Sequence, residues 1–440
     1  MKKWSDFIYK FETDVSTVLF CTKNAGIVTL NKAMYEDILN SLNETIKSTS
    51  NPKELAILEN MGFIVDDNEN EFNDFMKNVI KFREDNTNLG ITLLTTTDCN
   101  FACKYCFEKG IKDTMYISEI VCDSFITFLK NYIQNNNIKH LTINLFGGEP
   151  TLGWKYVVGT LEQVKQICDE NAICLSTRIA TNGFMFDEHR INDLIPFNLT
   201  TVVVTLDGSR EFHDKRRYTK KLELTFDVII SNLKKLLQLS NKAKIGVRVN
   251  CDNGNIASIP ELLKHLFIEL GNERVEINLF LKYEINNFNI QEQPANKDTL
   301  SEDEYVIQLP HLYDIIKKYG FPTPNYFQFD SLCMAKLMHT MVIHPNGDIY
   351  KCVGLTGRES YKFGTIYEQN IVGSHFDKSL YEYCINKKCC FLPICHAGCI
   401  VNSLLNYGSV SKVYCKRNLL EKVNKRFILT KLGLNGFETE

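Results

Sequence analysis

Alternation of apolar runs with amphipathic stretches between residues 91 and 281 is the feature that most constrains the fold. Six runs rich in valine, isoleucine, leucine or threonine are strand candidates: 91–96, 140–146, 174–182, 200–206, 244–250 and 275–281. Amphipathic segments of helical length lie between them, among them 118–134, 155–170, 226–239 and 256–270. This pattern predicts an α/β fold with a parallel sheet and right-handed crossovers. Six units, where a closed barrel has about eight, favour a partial (β/α)6 TIM-like barrel.

Composition excludes several classes of partner. The 440 residues include 50 basic and 53 acidic side chains, a net charge of -3, so bulk electrostatics favour neither nucleic acid nor an anionic membrane. The N-terminal segment lacks an apolar region of signal-peptide length, and the sequence has no run of about 18 apolar residues. We therefore expect a cytoplasmic protein with no nucleic-acid or membrane partner.

The sixteen cysteines are unevenly distributed. Three lie within residues 99–106 and eight lie within residues 333–415, and a reducing cytosol argues against structural disulfides for both groups. The other five are expected to be small buried hydrophobic residues: Cys21, Cys122, Cys168, Cys174 and Cys251.

The sequence predicts further segments before and after the barrel. Residues 1–88 carry a hairpin signal, three helical stretches and one short strand, a pattern that resembles a small winged-helix module. The barrel is expected over 89–283. Residues 284–330 read as a polar linker followed by a bridging helix that begins near His311. Residues 331–440 are rich in cysteine and poor in long periodic elements, which is typical of a domain stabilised by metal centres.

Polar motifs follow five successive strand candidates, and the carboxyl ends of parallel strands meet at one end of a barrel. They are Cys99, Cys103 and Cys106 after the first strand, then 146–150, 181–183, 205–208 and 248–250. Three thiolates form a good metal site but leave a tetrahedral ligand set one short. The glycines of Gly147-Gly148-Glu149-Pro150 would let a backbone edge approach a ligand, and Glu149 would suit an amine. A plain tight turn is the alternative for that motif.

The spacing Cys-x3-Cys-x2-Cys, with Tyr105 before the last cysteine and the Gly-Gly-Glu-Pro loop after the next strand, resembles the radical S-adenosylmethionine (SAM) superfamily. The resemblance spans residues 91 to about 280. It implies that Cys99, Cys103 and Cys106 hold a 4Fe-4S cluster whose fourth iron binds the amino and carboxylate groups of SAM. Reductive cleavage of the sulfonium then gives methionine and a 5'-deoxyadenosyl radical.

The same resemblance implies roles for further residues. Gly147, Gly148 and Glu149 would hold the methionine amine, and Tyr105 would lie beside the adenine. Thr205 and Asn250 are candidates for ribose or methionine contacts. The segment 207–217 leaves two alternatives open, which are carboxylate binding by Arg217 and a structural ion-pair network.

Cysteines of the C-terminal part resemble the SPASM extension of peptide-modifying members of this superfamily, which holds two auxiliary clusters. Carried over by position, the resemblance assigns Cys333, Cys352 and Cys399 to the first cluster and Cys389, Cys395 and Cys415 to the second. Asn386 stands where a further cysteine is expected, so Cys384 or Cys390 must replace it, and Cys384 is favoured because Cys390 adjoins Cys389. With three protein ligands, the first cluster would have an open iron for a substrate thiolate. Structural zinc is the alternative for this region, and His396 is expected to be a donor near the metal.

The N-terminal module resembles the leader-recognition element of ribosomal peptide maturases, which binds a peptide as an added strand; a capping subdomain is the alternative. Together these resemblances imply a maturase that abstracts a hydrogen from a precursor peptide and joins that carbon to a cysteine sulfur as a thioether. Its electron donor would be a ferredoxin- or flavodoxin-type protein. A formylglycine-generating sulfatase-type maturase, dehydrogenation or carbon–carbon crosslinking of a peptide, and a non-catalytic iron–sulfur redox protein remain alternatives.

Overall fold

The computed structural model describes residues 1–43, 51–103, 105–106, 114–281, 300–322, 332–368 and 373–434. The chain divides into two compact units. The terminal unit comprises Met1–Arg83, Asn325–Cys333 and Phe376–Glu440, and the barrel unit comprises Glu84–Pro324 and Met334–His375. None of the described helices is long and apolar enough to cross a membrane.

The N-terminal part of the terminal unit contains a three-stranded antiparallel sheet in the order β2-β3-β4, and a separate antiparallel pair of β1 with β5. The elements in chain order are β1 (Lys2–Trp4), β2 (Ile8–Glu12), β3 (Ser16–Cys21), β4 (Gly26–Asn31), α1 (Lys32–Asn43), α2 (Pro52–Asn60), β5 (Ile64–Asp66) and α3 (Glu71–Arg83).

Local chemistry explains the hairpin of β3 and β4. In the connecting turn Ala25 has a φ of 60°, and the Asn24 side chain accepts the Gly26 N–H at 2.9 Å. Asn31 then caps α1, since its side-chain oxygen accepts the Met34 N–H at 2.8 Å. The predicted hairpin is confirmed.

Both faces of the three-stranded sheet are covered within the terminal unit. Leu19 and Cys21 pack into a cluster that includes Ile38 and Phe63. Val18 and Phe20, on the opposite face, pack with a second cluster whose other buried members are Cys390, Phe391, Ile394 and Ile428. The continuous apolar run of β3 requires cover on both sides. Residues 1–83 are therefore grouped with the C-terminal segment, whereas the sequence predicts a separate module over 1–88. The winged-helix resemblance stays a prediction.

The barrel unit is built on six parallel strands that lie side by side in chain order. They are β6 (Asn88–Thr96), β7 (His140–Gly147), β8 (Cys174–Thr181), β9 (Leu199–Thr205), β10 (Lys244–Cys251) and β11 (Val275–Leu281). All six predicted strands are present, so the α/β class and the partial barrel are confirmed.

Helices follow these strands as the crossover rule requires. They are α4 (Glu119–Gln134), α5 (Val157–Glu170), α6 (Glu188–Leu194), α7 (Arg210–Arg216), α8 (Phe226–Leu239) and α9 (Ile259–Leu270), with 3-10 turns at Pro150–Tyr156, Ile195–Phe197 and Ile256–Ser258. Alternate strand residues such as Leu141, Ile143 and Leu145 are fully buried. The intervening residues are polar, and Thr142 and Ser176 join neighbouring strands by a 3.0 Å hydrogen bond.

The linker prediction needs correction at its C-terminal end. The predicted linker begins at residue 284, and its residues up to 299 lie outside the described residues. The bridging helix α10 (Glu302–Lys318) begins nine residues before the predicted start at His311 and passes through Pro310. A capping box explains this start, because the Ser301 side chain accepts the Glu304 N–H and the Glu304 side chain accepts the Ser301 N–H.

The C-terminal part adds strands to the barrel sheet, which the sequence does not predict. Strand β12 (Thr340–Ile343) pairs in parallel with β6, and β13 (Asp348–Tyr350) and β14 (Gly364–Thr365) continue the sheet in antiparallel fashion. Short 3-10 turns lie at Met334–Lys336, Val353–Leu355 and Glu359–Tyr361. The predicted 331–440 domain is thus divided, since α11 (Lys378–Asn386), α12 (Leu392–Cys395), α13 (Ile400–Tyr407) and α14 (Arg417–Lys431) belong to the terminal unit.

Candidate active site

The loop after β6 carries the three predicted cluster cysteines, and Asp98 anchors its first part. One carboxylate oxygen of Asp98 accepts the Cys99 N–H and the Lys220 Nζ, each at 2.8 Å, and the other accepts the Tyr116 hydroxyl at 2.6 Å. Burial by itself would raise the pKa of Asp98. These hydrogen bonds outweigh burial, so the pKa of Asp98 lies below its usual value. An ionised Asp98 therefore fixes the backbone at the first cysteine.

Cys99 is largely enclosed by its own loop and by the turn after β8. Its Sγ accepts the Phe101 N–H at 3.4 Å and lies 3.9 Å from the Asn182 amide nitrogen. Burial raises the pKa of the Cys99 thiol to about 12, and Glu149 and the other two cysteines add to the effect. Because a bound cation reverses such a shift, this thiol fits a metal ligand better than a solvent-exposed nucleophile.

Gly147 and Gly148 let the loop after β7 touch the backbone of the cysteine loop. A Cβ on Gly147, whose φ is 143°, would lie 2.2 Å from the Thr96 carbonyl oxygen. A Cβ on Gly148 would lie 2.3 Å from the Asp98 carbonyl oxygen, which also accepts the Glu149 N–H at 2.8 Å. The structure thus shows a close approach to protein backbone, and the predicted approach to a ligand stays a prediction. The backbone contact fixes the second loop against the first.

Glu149, the next residue of this loop, is bound on both of its carboxylate oxygens. It is completely buried, and one carboxylate oxygen accepts the Thr151 hydroxyl at 2.7 Å and the Thr181 hydroxyl at 2.6 Å. The other oxygen accepts the Asn182 N–H at 2.6 Å. Burial raises the pKa of Glu149 in spite of these bonds. The side chain joins the ends of β7 and β8, and the amine contact that the resemblance implies stays a prediction.

A polar cluster at the carboxyl ends of β9 and β10 brings together three predicted residues around Asp207. Asp207 is completely buried and accepts the Tyr105 hydroxyl on one oxygen. Its other oxygen accepts the Asn250 N–H at 3.0 Å and the Asn250 side-chain amide at 3.2 Å. Arg217 donates to the Tyr105 oxygen at 2.7 Å. The structure therefore connects Tyr105 to Asp207 and Arg217, and its position beside adenine stays a prediction.

Arg217 retains a donor that could bind a ligand. The residue is 9% exposed, and its buried Nε has no hydrogen-bond partner among the described residues. Burial alone would lower the pKa of Arg217, but Tyr105, Cys103 and Asp207 outweigh burial and raise it. A buried guanidinium with a vacant donor fits a carboxylate, which supports that alternative for Arg217.

Other members of the 207–217 segment have structural partners. Arg216 forms a bidentate ion pair with the buried Asp252 at 2.9 and 2.7 Å. His213 accepts the Asp207 N–H at 3.3 Å and contacts the Thr225 hydroxyl at 3.0 Å, and burial lowers its pKa, so the imidazole is neutral. The two alternatives left open for this segment therefore apply to different residues. Thr205, the half-buried last residue of β9, pairs in register with Arg248.

Asp98 and Asp252 were missed at the level of sequence, and Asn182 was placed at the site with the motif 181–183 but given no role. Asn182 contacts Cys99 and also donates to the Asn100 side chain at 2.7 Å. Its position one residue after a strand, in a Thr-Asn-Gly turn, was a usable signal. Asp98 directly precedes the first cysteine, and only its contacts from distant segments reveal its role.

Of the eight cysteines in the second group, Cys352 belongs to the barrel unit and the others belong to the terminal unit. In the terminal unit, Cys333, Cys384 and Cys395 lie near Tyr381, whose pKa is raised by burial first and by these sulfurs next. Burial raises the pKa of Cys389, and Cys415 adds to it. The group around Tyr381 includes residues of both assigned sets, since the resemblance places Cys333 in the first cluster and Cys395 in the second. His396 stacks on Phe75 with ring centroids 5.6 Å apart.

Cys390 differs from its neighbours because it lies in an apolar core. It is 7% exposed and packs with Phe391, Val18 and Phe20, and burial raises the pKa of its thiol to about 12. Cys384, on α11, lies with the group of sulfurs around Tyr381. This contrast supports Cys384 as the replacement for the missing ligand at Asn386.

Alanine at Cys384 is therefore expected to lower the iron and sulfide content by one cluster, because the second auxiliary cluster loses a ligand. Alanine at Cys390 is the matched control and should leave the iron content unchanged while lowering the free energy of unfolding by ~1 kcal/mol, as loss of a small buried group does. Iron and sulfide analysis with urea unfolding distinguishes the two. Equal iron loss in both variants would contradict the assignment.

No group of three or more histidine, cysteine, aspartate or glutamate side chains is gathered as a metal site within the residues that the structure describes. Lys104 and residues 107–113 of the cysteine loop lie outside that description. Cluster ligation is therefore inferred from the donor set. Three thiols on one loop, a largely enclosed Cys99 and a vacant Arg217 donor fit an iron–sulfur cluster with a carboxylate-bearing ligand beside it.

Comparisons with known proteins agree with this site. Residues 93–266 match the model of the Radical SAM superfamily. The chain is 26% identical over 358 residues to a cysteine-type anaerobic sulfatase-maturating enzyme of Clostridium novyi, covering 73% of this chain and 90% of that protein. It is 23% identical over 394 residues to the radical SAM cyclopropyl synthase TigE of Paramaledivibacter caminithermalis, covering 78% and 77%.

Solved structures give the same result for the fold. Native anSMEcpe with bound AdoMet superposes with a TM-score of 0.59 and 18% identity, covering 79% of this chain and 100% of that one. Streptococcus suis SuiB bound to its precursor peptide SuiA superposes with a TM-score of 0.53 and 18% identity, covering 95% and 99%. Members of the radical SAM superfamily use a 4Fe-4S cluster and SAM. The chain therefore carries a radical SAM domain across residues 93–266.

Proposed function

We propose that this chain is a radical SAM maturase that modifies a ribosomally made precursor peptide, and that its product is a thioether between a cysteine sulfur and a carbon of that peptide. The observation that carries the proposal is the meeting of the cysteine loop, the Gly147-Gly148 loop and the Asp207 cluster at the carboxyl ends of neighbouring parallel strands. Reactive groups of barrel enzymes gather at that end.

The residues of the site would bind and orient the cofactors. Cys99, Cys103 and Cys106 would hold the 4Fe-4S cluster, with the backbone of Gly147 and Gly148 supporting the loop that carries them. The Nε of Arg217 would bind the SAM carboxylate, and Thr205 and Asn250 remain candidates for ribose or methionine contacts. The bound cofactors supply a carbon radical that abstracts hydrogen, and the protein supplies orientation and exclusion of water.

Support for a peptide substrate comes from relatives and from the terminal unit. The similar SuiB chain was solved with a precursor peptide, and one anSMEcpe chain was solved with a Cp18Cys peptide. Both faces of the sheet β2-β3-β4 are covered by apolar clusters, so its edges are where a further strand could add. Within the described residues, neither edge strand has a second strand partner. We infer that a leader segment adds at one of these edges.

A thioether replaces one C–H bond and one S–H bond by a C–S bond. The hydrogen atom of the C–H bond would leave with one electron to the 5'-deoxyadenosyl group, and the thiol would lose a proton. The auxiliary clusters could accept the one electron that remains. Their proposed ligands are Cys333, Cys352 and Cys399 for the first and Cys384, Cys389, Cys395 and Cys415 for the second. An open iron in the first would accept the substrate thiolate.

A second candidate function is favoured by the 26% identity that extends over 90% of a cysteine-type anaerobic sulfatase-maturating enzyme. In that case the chain would oxidise a cysteine or serine side chain to formylglycine. The same radical SAM site would serve, and no crosslink would form.

Anaerobic incubation with dithionite, SAM and a cysteine-containing peptide encoded beside this chain's gene distinguishes these functions. We expect 5'-deoxyadenosine and a peptide lighter by two hydrogens that no longer reacts with a thiol alkylating reagent. Tandem mass spectrometry then locates the crosslink. An aldehyde that reacts with a hydrazine reagent would identify the formylglycine route instead, and a reduced protein that forms no deoxyadenosine would contradict both.

A further inference from the structure

An exposed turn, residues 219–224, lies beside the cysteine loop and has no role in the proposed chemistry. Leu222 and Leu224 are 75% and 71% exposed, which is unusual for two leucines so close together. Leu222 also has a φ of 64°, a conformation that costs a leucine roughly 1 kcal/mol or more. A strained, exposed apolar residue suggests a surface retained for a partner.

The turn is nevertheless well ordered by Thr219, which is 3% exposed. The Thr219 carbonyl accepts the Leu222 N–H at 2.9 Å, and its hydroxyl oxygen accepts the Lys221 and Glu223 N–H groups at 3.2 and 3.0 Å. The two leucines are therefore held outward by a closed turn. A preformed surface loses little conformational entropy when a partner binds.

Backbone contacts connect this turn directly to the cysteine loop. Thr219 forms an antiparallel bridge with Phe101, and the Lys220 N–H donates to the Asn100 carbonyl at 2.8 Å. The Lys220 ammonium also donates to Asp98, the residue that fixes Cys99. A protein docked on the turn would thus lie against the segment that holds the proposed cluster, and electron transfer depends steeply on such closeness.

Charge around the turn indicates the kind of partner. In the segment 214–223, DKRRYTKKLE, Arg216 and Arg217 have partners inside the site, so the exposed charge comes from three lysines against Glu223. Lys215, Lys220 and Lys221 are exposed. Apolar residues beside lysines suit a partner with an acidic rim around an apolar centre.

We propose that the 219–224 turn is the docking surface for a small acidic electron-donor protein. The inference rests on the proposed function, since only a reductively activated cluster needs such a donor. One electron passes from the reduced flavin or iron–sulfur centre of the donor, which is oxidised, to the cluster on the cysteine loop, which is reduced. Complexes of this kind are transient and bury less than about 1,200 Å² in total, so a small surface is sufficient.

The test compares the double variant Leu222→Asp/Leu224→Asp with wild type, using a flavodoxin or dithionite as the reductant. Aspartate is tolerated at the positive φ of residue 222, and its charge repels an acidic partner. We expect about a tenfold weaker binding of a flavodoxin, measured by surface plasmon resonance at low salt, and about a tenfold lower rate of deoxyadenosine formation with that flavodoxin and its NADPH-dependent reductase. With dithionite the rate should stay within about twofold of wild type.

Ile268→Asp and Lys242→Glu are control variants, because Ile268 is 65% exposed on α9 and Lys242 is exposed before β10, at the opposite end of that strand from Asn250. Both should behave as wild type with either reductant. Unchanged flavodoxin binding in the double variant would overturn the proposal, and so would an equal loss of rate with dithionite, which would indicate a structural role. If wild type makes no deoxyadenosine with dithionite, the proposed function fails, while the binding measurement still tests the docking surface.

Discussion

Alanine at Cys99, Cys103 or Cys106 will abolish 5'-deoxyadenosine formation, with activity reduced by at least about a thousandfold, because two thiolates cannot keep the cluster in place. Each variant should also lose the iron and sulfide of one cluster when reconstituted anaerobically. Product formation measured by liquid chromatography, with iron analysis on the same sample, checks both results together.

Cys174→Ala is the matched control, since Cys174 is exposed at the first residue of β8 and belongs to neither cysteine group. It should retain full iron content and full deoxyadenosine formation. A Cys99→Ala variant that still cleaves SAM at a rate comparable to wild type would contradict the assignment of the cysteine loop.

Gly148→Ala will lower deoxyadenosine formation by at least about a hundredfold, although it adds a single methyl group. The new Cβ would lie 2.3 Å from the Asp98 carbonyl oxygen, so the backbone that carries Cys99 must move. Overpacking of this kind costs about 1–3 kcal/mol, and here the displaced segment is the cysteine loop itself. Iron content, SAM binding by equilibrium dialysis and the thermal midpoint should all decrease.

Gly159→Ala is the control for the same substitution. Gly159 lies within α5, and a Cβ there would meet no atom within 4 Å. Alanine should stabilise the helix by about 0.5–1 kcal/mol and leave activity unchanged. If Gly148→Ala behaves like Gly159→Ala, the loop after β7 does not position the cysteine loop as described.

The barrel and the position of its site were predictable because they depend on local patterns. Alternating strands and helices between residues 91 and 281 define the sheet order, and motifs after each strand must then meet at one end. Cysteine spacing likewise needs no tertiary information. Periodicity and chain order alone produce these features.

The roles of side chains at the site were less predictable, since they depend on which residues of other loops lie beside them. The contacts of Glu149 with a neighbouring loop, for example, become visible only from the positions of Thr181 and Asn182. Arg216 and Arg217 are adjacent in sequence, yet Arg216 pairs with Asp252 whereas Arg217 donates to Tyr105. Adjacent residues at the end of a short helix face different surroundings, which sequence cannot show.

Contacts between segments far apart in the sequence were also not predictable. Nothing local indicates that Val18 and Phe20 pack with Phe391 and Ile394 of the C-terminal part. The pairing of β12 with β6 is equally non-local, because a strand of four residues carries little signal of its own. The start of α10 was in fact predictable, since Ser301 and Glu304 have the spacing of a capping box.

The most direct test of the central claim is a Mössbauer spectrum of the anaerobically reconstituted protein, made with isotopically enriched iron, before and after SAM is added. If the cysteine loop holds a cluster with one iron open to SAM, one iron site of a four-iron centre will change its parameters on addition, and the change will be absent in the Cys99→Ala/Cys103→Ala/Cys106→Ala variant. A spectrum that SAM leaves unaltered, or a protein whose bound metal is zinc throughout, would contradict it.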